Sequence, residues 1–209
     1  MSVLPIVTYN DPVLREKTKP VEENNQELQT LIDDMFDTMY NSQGVGLAAP
    51  QIGKKIQLFV MDADGITDEL EEEDSHGPLV IINPKIVETA GEKVKMEEGC
   101  LSIPDVRDDV VRPEKVTIEY LDRDFNTKRI EAEGWESRVI QHEYDHLQGV
   151  LFLDYLSAFK KRLHKSLLKK IDKGTLQIEY PVVPKKWAGE MKTLRIVFMG
   201  SPDFAIPSL

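Results

Sequence analysis

The sequence predicts an α+β domain, in which mixed or antiparallel sheets pack around a central helix and an amphipathic helix follows near the C-terminus. Three observations predict it. Apolar runs of strand length succeed one another between residues 56 and 130, separated by Gly, Asn and Asp. Gln141-His142-Glu143-Tyr144-Asp145-His146 then sets two histidines four residues apart, on one face of a helix where both can reach a single metal ion. Beyond it, Leu156, Phe159, Leu163, Leu167 and Ile171 repeat at helical spacing.

The elements follow in order. Asn10-Asp11-Pro12 is a cap followed by proline at a first helical position, so a short helical turn is expected there. Asn24 or Asn25 caps the next helix, whose apolar stripe is Leu28, Leu31, Ile32, Met35, Phe36, Met39 and Tyr40. Asn41-Ser42-Gln43-Gly44 stops it. The stretch from Gly44 to Gln51 is small and nearly uncharged, and alone it reads as a tight turn whose glycines admit another chain or a ligand. Ile56 to Met61 reads as a buried strand, and Asp68 to Asp74 as a solvated acidic loop. Leu79 to Ile82, Ile86-Val87, Val94 to Met96 and the alternating Val116, Ile118 and Tyr120 continue the sheet, with Asn83-Pro84 as punctuation. Asp122 to Asn126 turns the last of these into a partner around Ile130. Gly134 opens the histidine helix and Gly149 closes it as a left-handed cap. Trp135, Val139, His142 and His146 share one face, so the histidines continue a buried stripe.

Composition narrows the class. With 209 residues, 41% of them hydrophobic, the chain can build one domain with a core and a short appendage. A net charge of −11 argues against a surface that wraps nucleic acid, so no DNA partner is expected. No run approaches the roughly 18 apolar residues of a membrane helix, and Met1-Ser2-Val3-Leu4-Pro5 lacks the layout of a signal peptide. Cys100 is the single cysteine and cannot form an internal disulfide, which fits a reducing cytoplasm.

Two histidines do not complete a zinc-like site, which takes three protein ligands and leaves one position open. His164 lies on the basic last helix and is expected at the surface. The remaining soft ligand is Cys100, in Glu97-Glu98-Gly99-Cys100-Leu101-Ser102, where a metal would hold the thiol deprotonated. Glu143, beside His142, can hold a water at the metal rather than the metal itself.

Taken together these stretches resemble peptide deformylase, whose pattern is GxGxAAPQ, then EGCLS, then QHExDHL. Gly44 to Gln51, Glu98 to Ser102 and Gln141 to Leu147 match it in order and without a departure, and the resemblance runs from about Leu4 to about Ile171. It implies metal-dependent removal of the N-formyl group from the formylmethionine of newly made polypeptides, releasing formate. Cys100, His142 and His146 would hold one divalent metal, Fe(II) natively, with Zn, Ni or Co able to substitute. Glu143 would act as base and then acid, while the Gln51 side-chain amide and the Leu101 backbone N–H stabilise the oxyanion. The peptide would bind extended between Gly44–Gly46 and the segment after Cys100, its methionine side chain in a pocket including Val45, Val139 and His142. Asp145 is spaced to face away from the metal and is expected to pair with Arg112 or another cation.

The last helix, 157–173, carries Lys160, Lys161, Arg162, Lys165, Lys169 and Lys170 on its outer face. That face is expected either to be solvated or to meet ribosomal phosphates, resembling deformylases that dock a C-terminal helix on the ribosome. Further on, Met191 to Ala205 reads as a strand entering a tight turn and resembles the first strand of methionyl-tRNA formyltransferase. The expected organisation is a catalytic domain over 1–175, an extension over 176–190 and a fragment over 191–209. That fragment lacks the folate site and catalytic residues of its counterpart. Two rival functions remain at this point. A general metallopeptidase would need a different third ligand, and a closed structural metal site would have no use for Glu143.

Overall fold

The computed structural model describes residues 2–64 and 76–183; the acidic run Asp68 to Asp74 and the fragment 191–209 lie outside them. A short strand β1 (Ile6–Val7) pairs in parallel with β7 (Val182–Val183). Between them lies a five-stranded antiparallel sheet of β2 (Gly46–Ala48), β3 (Leu58–Met61), β4 (Leu79–Gly99), β5 (Arg107–Leu121) and β6 (Thr127–Ala132), neighbours in space in chain order. Helices α1 (Gln26–Asn41) and α2 (Gly134–Leu147) take its two faces, and α3 (Ala158–Asp172) follows. The α+β architecture is the one the sequence predicts.

Local chemistry sets the boundaries. Asp11 accepts from the Val13 N–H at 2.9 Å, and the expected turn is a 3-10 turn over Pro12–Arg15. Of the two candidate caps for α1, Asn25 is used, accepting from the Leu28 N–H at 2.9 Å. Leu28, Ile32, Met35 and Met39 bury against Leu47, Leu58, Val60 and Ile82 on one face of the sheet. Each such aliphatic side chain contributes about 1.5–3 kcal/mol when fully withdrawn from water. Tyr40, expected in the same stripe, is half exposed and donates its hydroxyl to Asp62 at 2.6 Å. On the opposite face Phe59, Met61, Ile81, Val116 and Ile118 pack on Val139, Ile140 and Leu147 of α2.

Three expectations change. Asn83-Pro84 does not end a strand, because β4 runs through it to Gly99. Asn83 takes φ +51, the register with β5 slips between Ile82 and Lys85, and the break is a bulge. The Asn83 amide stabilises it by bonding both the N–H and the C=O of Val21, each at 2.8 Å. Gly44 to Gln51 is more than a turn: it enters the edge strand β2 and then a 3-10 turn over Ala49–Ile52.

The third change concerns α3. Phe159 and Leu163 are 68% and 65% exposed, and only Ile171 of the expected stripe is buried within the helix. Leu156 is buried, but in the approach to the helix. The first half of α3 is instead held by charge, since Asp108 of β5 accepts from Lys160 and from His164 Nε2, the latter at 2.8 Å. His164 is therefore largely covered rather than free at the surface.

Gly149 ends the α2 region at φ +76, and a Cβ there would lie 2.6 Å from the Arg15 carbonyl oxygen. Gly149→Ala combines left-handed strain with a backbone clash. Urea unfolding is expected to show a loss on the order of 1–3 kcal/mol.

Candidate metal centre

Cys100 leaves the end of β4 in a turn closed by the Ile103 N–H on its own carbonyl, at 2.8 Å. His142 and His146 project from one face of α2, with ring centroids 5.1 Å apart. Cys100 Sγ lies 3.3 Å from His146 Nε2, and one donor atom from each of the three residues falls within 4.8 Å of the others. Donors sharing an ion at about 2.0–2.3 Å would stand about 3–4 Å apart, so the trio needs only a small contraction. A thiolate with two imidazoles suits a borderline divalent metal.

The carboxylate that organises this trio is Glu98, 4% exposed. Its Oε1 accepts from Arg112 Nε at 2.7 Å and Arg138 Nη1 at 2.8 Å. Its Oε2 accepts from Arg112 Nη2 and faces His142 Nδ1, both at 3.0 Å. Burial pushes the Glu98 carboxyl up, but the bonds from His142 and Arg112 outweigh it and hold the group well below the usual carboxylate range. An ionised Glu98 accepts the Nδ1 proton of His142, which leaves the Nε2 lone pair to a metal. Arg112 also donates to Asp145 at 2.6 Å, the expected ion pair, while its guanidinium lies 4.5 Å over the Tyr155 ring. Arg138 caps the Val94 and Val110 carbonyls.

Glu143 is buried 4% exposed beside this network, and burial pushes its carboxyl up to about 7. Its Oε2 has no hydrogen-bond partner among the described residues. A buried carboxylate oxygen without a donor is costly unless water or substrate supplies one. Gly46 is what lets β2 lie against it, since a Cβ at Gly46 would sit 2.6 Å from Glu143 Oε1. At Gly44 a Cβ would meet Leu101 Cδ1 at 2.7 Å. Gln51 accepts from the Ala48 N–H at 2.8 Å through Oε1, which turns its NH2 toward Cys100 Sγ at 3.6 Å and Ser102 Oγ at 3.4 Å.

These residues border a cavity of about 840 Å³. Gly44, Val45, Gly46, Gln51, Leu101 and Val139 all line it, as do His142 and Glu143. So do Gln177 to Tyr180, which sequence reasoning gave no part in a site. It also assigned no role to Glu98, although that residue was in plain view beside Cys100, and it missed Arg138 and Tyr155.

The sequence model of the polypeptide deformylase family matches residues 3–162. The chain belongs to the peptide deformylase family. The peptide deformylase of Salinibacter ruber is 50% identical over 186 residues, covering 88% of this chain and 95% of its own length. That of Christiangramia forsetii is 46% identical over 184 residues, covering 85% and 94%. A solved peptide deformylase from Legionella pneumophila aligns with a TM-score of 0.74 at 45% identity, over 82% of this chain and 96% of its own. That of Ehrlichia chaffeensis in complex with actinonin aligns with a TM-score of 0.75 at 44% identity, over 85% and 100%. Deformylases are metallohydrolases, and Cys100, His142 and His146 fit the metal they require. Among the described residues no helix is long and apolar enough to cross a membrane.

Glu98→Gln leaves two buried guanidinium groups short of a counter-charge and His142 short of its acceptor. Metal affinity, read by competition with a chromophoric chelator, is expected to fall about 10- to 100-fold. Stability to urea is expected to fall by about 3–5 kcal/mol, the cost of breaking a buried ion pair.

Proposed function

We propose that the chain hydrolyses the N-formyl group of formylmethionyl peptides, releasing formate. The observation that carries this reading is the unpartnered Oε2 of Glu143, buried beside the Cys100, His142 and His146 donors at the wall of an open cavity. A divalent metal held by those donors supplies Lewis acidity and makes water a nucleophile at neutral pH. Fe(II) is the proposed native ion, with Zn, Ni and Co as substitutes, and the cytoplasm is the proposed setting.

The chain's own residues do the rest. Glu143 Oε2 takes the proton from the attacking water and later returns it to the leaving amine, one carboxylate serving as base and acid. Gln51 Nε2 and the Leu101 N–H stabilise the oxyanion that forms on the formyl oxygen. The substrate backbone pairs with the segment Gly44 to Gly46 that leads into the edge strand β2, and the methionine side chain packs against Val45 and Val139. Glu98 stays ionised throughout and keeps His142 in one tautomer.

We assign catalysis to residues 1–175, with an extension over 176–190. We read the fragment 191–209 as resembling the start of methionyl-tRNA formyltransferase, and no formyl transfer is proposed for it. The exposed Lys161, Lys165 and Lys169 on α3 are proposed to meet ribosomal phosphates; Lys160 is already paired with Asp108. Replacing those three lysines by glutamate is expected to remove salt-dependent co-sedimentation with ribosomes. Binding that survives the change would refute the contact.

The activity is tested by formate release from a formylmethionyl tripeptide, using anaerobic protein loaded with Fe(II) or Ni(II). Rapid release is expected, abolished by chelation and restored by the metal. Glu143→Gln should keep metal and fold while losing turnover about a hundred- to ten-thousand-fold. A folded chain holding one metal and releasing no formate would overturn the proposal.

A further inference from the structure

Beyond α3 the chain doubles back past the cavity. Asp172 accepts from Asn10 Nδ2 at 2.7 Å, and nine residues later Pro181 accepts from the Ile6 N–H at 2.9 Å as β7 joins β1. Residues 173–181 therefore form a strap tied at both ends to the segment Ile6–Asn10. Between the ties, Tyr180 donates its hydroxyl to the Leu101 carbonyl at 2.8 Å, and both side chains pack on the core beneath α1. This strap lies outside residues 3–162, the part that matches the family.

The turn that carries Leu101 is held at three successive carbonyls, one by its own closing bond and two by other segments of the chain. Cys100 O accepts from the Ile103 N–H at 2.8 Å, Leu101 O from Tyr180, and Ser102 O from the Tyr9 N–H at 2.8 Å. None of these bonds uses the Leu101 N–H. A peptide unit is planar, so the Cys100 carbonyl and the Leu101 N–H point in opposite directions in one plane. The first bond thus sets the direction of that N–H, and the second fixes the next plane, on the other side of the Leu101 Cα. With both planes held, rotation about the Leu101 φ and ψ is resisted.

We infer that Tyr180 is a positioning residue for the oxyanion-stabilising N–H of Leu101. The inference rests on the role given to Leu101 above. A donor displaced by a fraction of an ångström loses more against the developing charge of the transition state than against the neutral formyl group, so the loss falls on turnover rather than on binding.

Tyr180→Phe keeps the ring and its packing and removes only the donor. With the full chain loaded with Ni(II), kcat on a formylmethionyl tripeptide is expected to fall about 3- to 10-fold, the worth of one hydrogen bond, with KM held within about twofold. In the Zn-loaded protein without substrate, amide exchange at Ile103 is expected to quicken about 10-fold as the turn loosens. A raised KM at unchanged kcat would make the strap a substrate wall only and overturn the inference. So would unaltered kinetics, or unaltered exchange at Ile103. A wild-type chain inert toward the formyl peptide would undo the functional reading instead, leaving the exchange measurement to decide the role of Tyr180.

Discussion

One buried carboxylate holds the catalytic end of this molecule together. Glu98 sits at the end of β4 with Arg112 of β5 and Arg138 of α2 on one side and His142 on the other. Taken alone, any of these charges would be expensive in the core, where desolvation costs several kcal/mol per ion. Glu98 and Asp145 set two acids against the guanidinium groups of Arg112 and Arg138, with His142 as a further partner, all hydrogen-bonded. Such a cluster adds little net stability over an apolar core, but it admits few arrangements. That makes it a device for placing α2 against the sheet in one register, and the face of α2 that carries His142 and His146 is placed with it.

The remaining constraints are steric. β2 lies so close to α2 that only a hydrogen fits at Gly46 against Glu143, and Gly44 has the same relation to Leu101. The stretch that enters the edge strand is thus also the wall against Glu143 and the Leu101 turn. Gln51 is fixed by the Ala48 N–H of the same short stretch. Eight consecutive residues therefore supply the sheet edge, the close packing on Glu143 and Leu101, and the anchored Gln51 amide, and such close approach calls for small, uncharged residues.

How much of this could be read from the chain alone follows from the range of each interaction. The clustering of Cys100, His142 and His146 was legible because the two histidines are fixed by helical spacing and Cys100 is the single cysteine. The caps, the stripe of α1 and the hairpin at Asp122 to Asn126 were legible because they are local. Asn83-Pro84 was misread because a bulge and a strand end carry the same residues, and only the partner register separates them. The stripe of α3 was misread because periodicity shows which residues share a face, and Asp108, far away in sequence, decided which part of the helix docks. Glu98 and Arg138 received no role from the sequence for the same reason: their burial is created by each other.

The satisfaction of polar groups along α2 separates support from chemistry. This helix is buried on nearly every side, yet it carries Glu136, Arg138, Gln141, His142, Glu143 and His146. Glu136 is met by the N–H and ring of His76, Gln141 by the Pro113 carbonyl and Ser137, and Arg138 and His142 by Glu98. Among the described residues the buried side-chain atoms left without a partner are Glu143 Oε2, His146 Nδ1 and Ser42 Oγ. Glu143 and Ser42 line the cavity, and His146 turns its Nε2 toward Cys100 Sγ at 3.3 Å. A structure that pairs its buried groups this thoroughly would pair these too if packing were their only task. Leaving Glu143 Oε2 open is a cost to the folded chain that a water or a substrate can remove, and it falls where the proposed mechanism asks for a base.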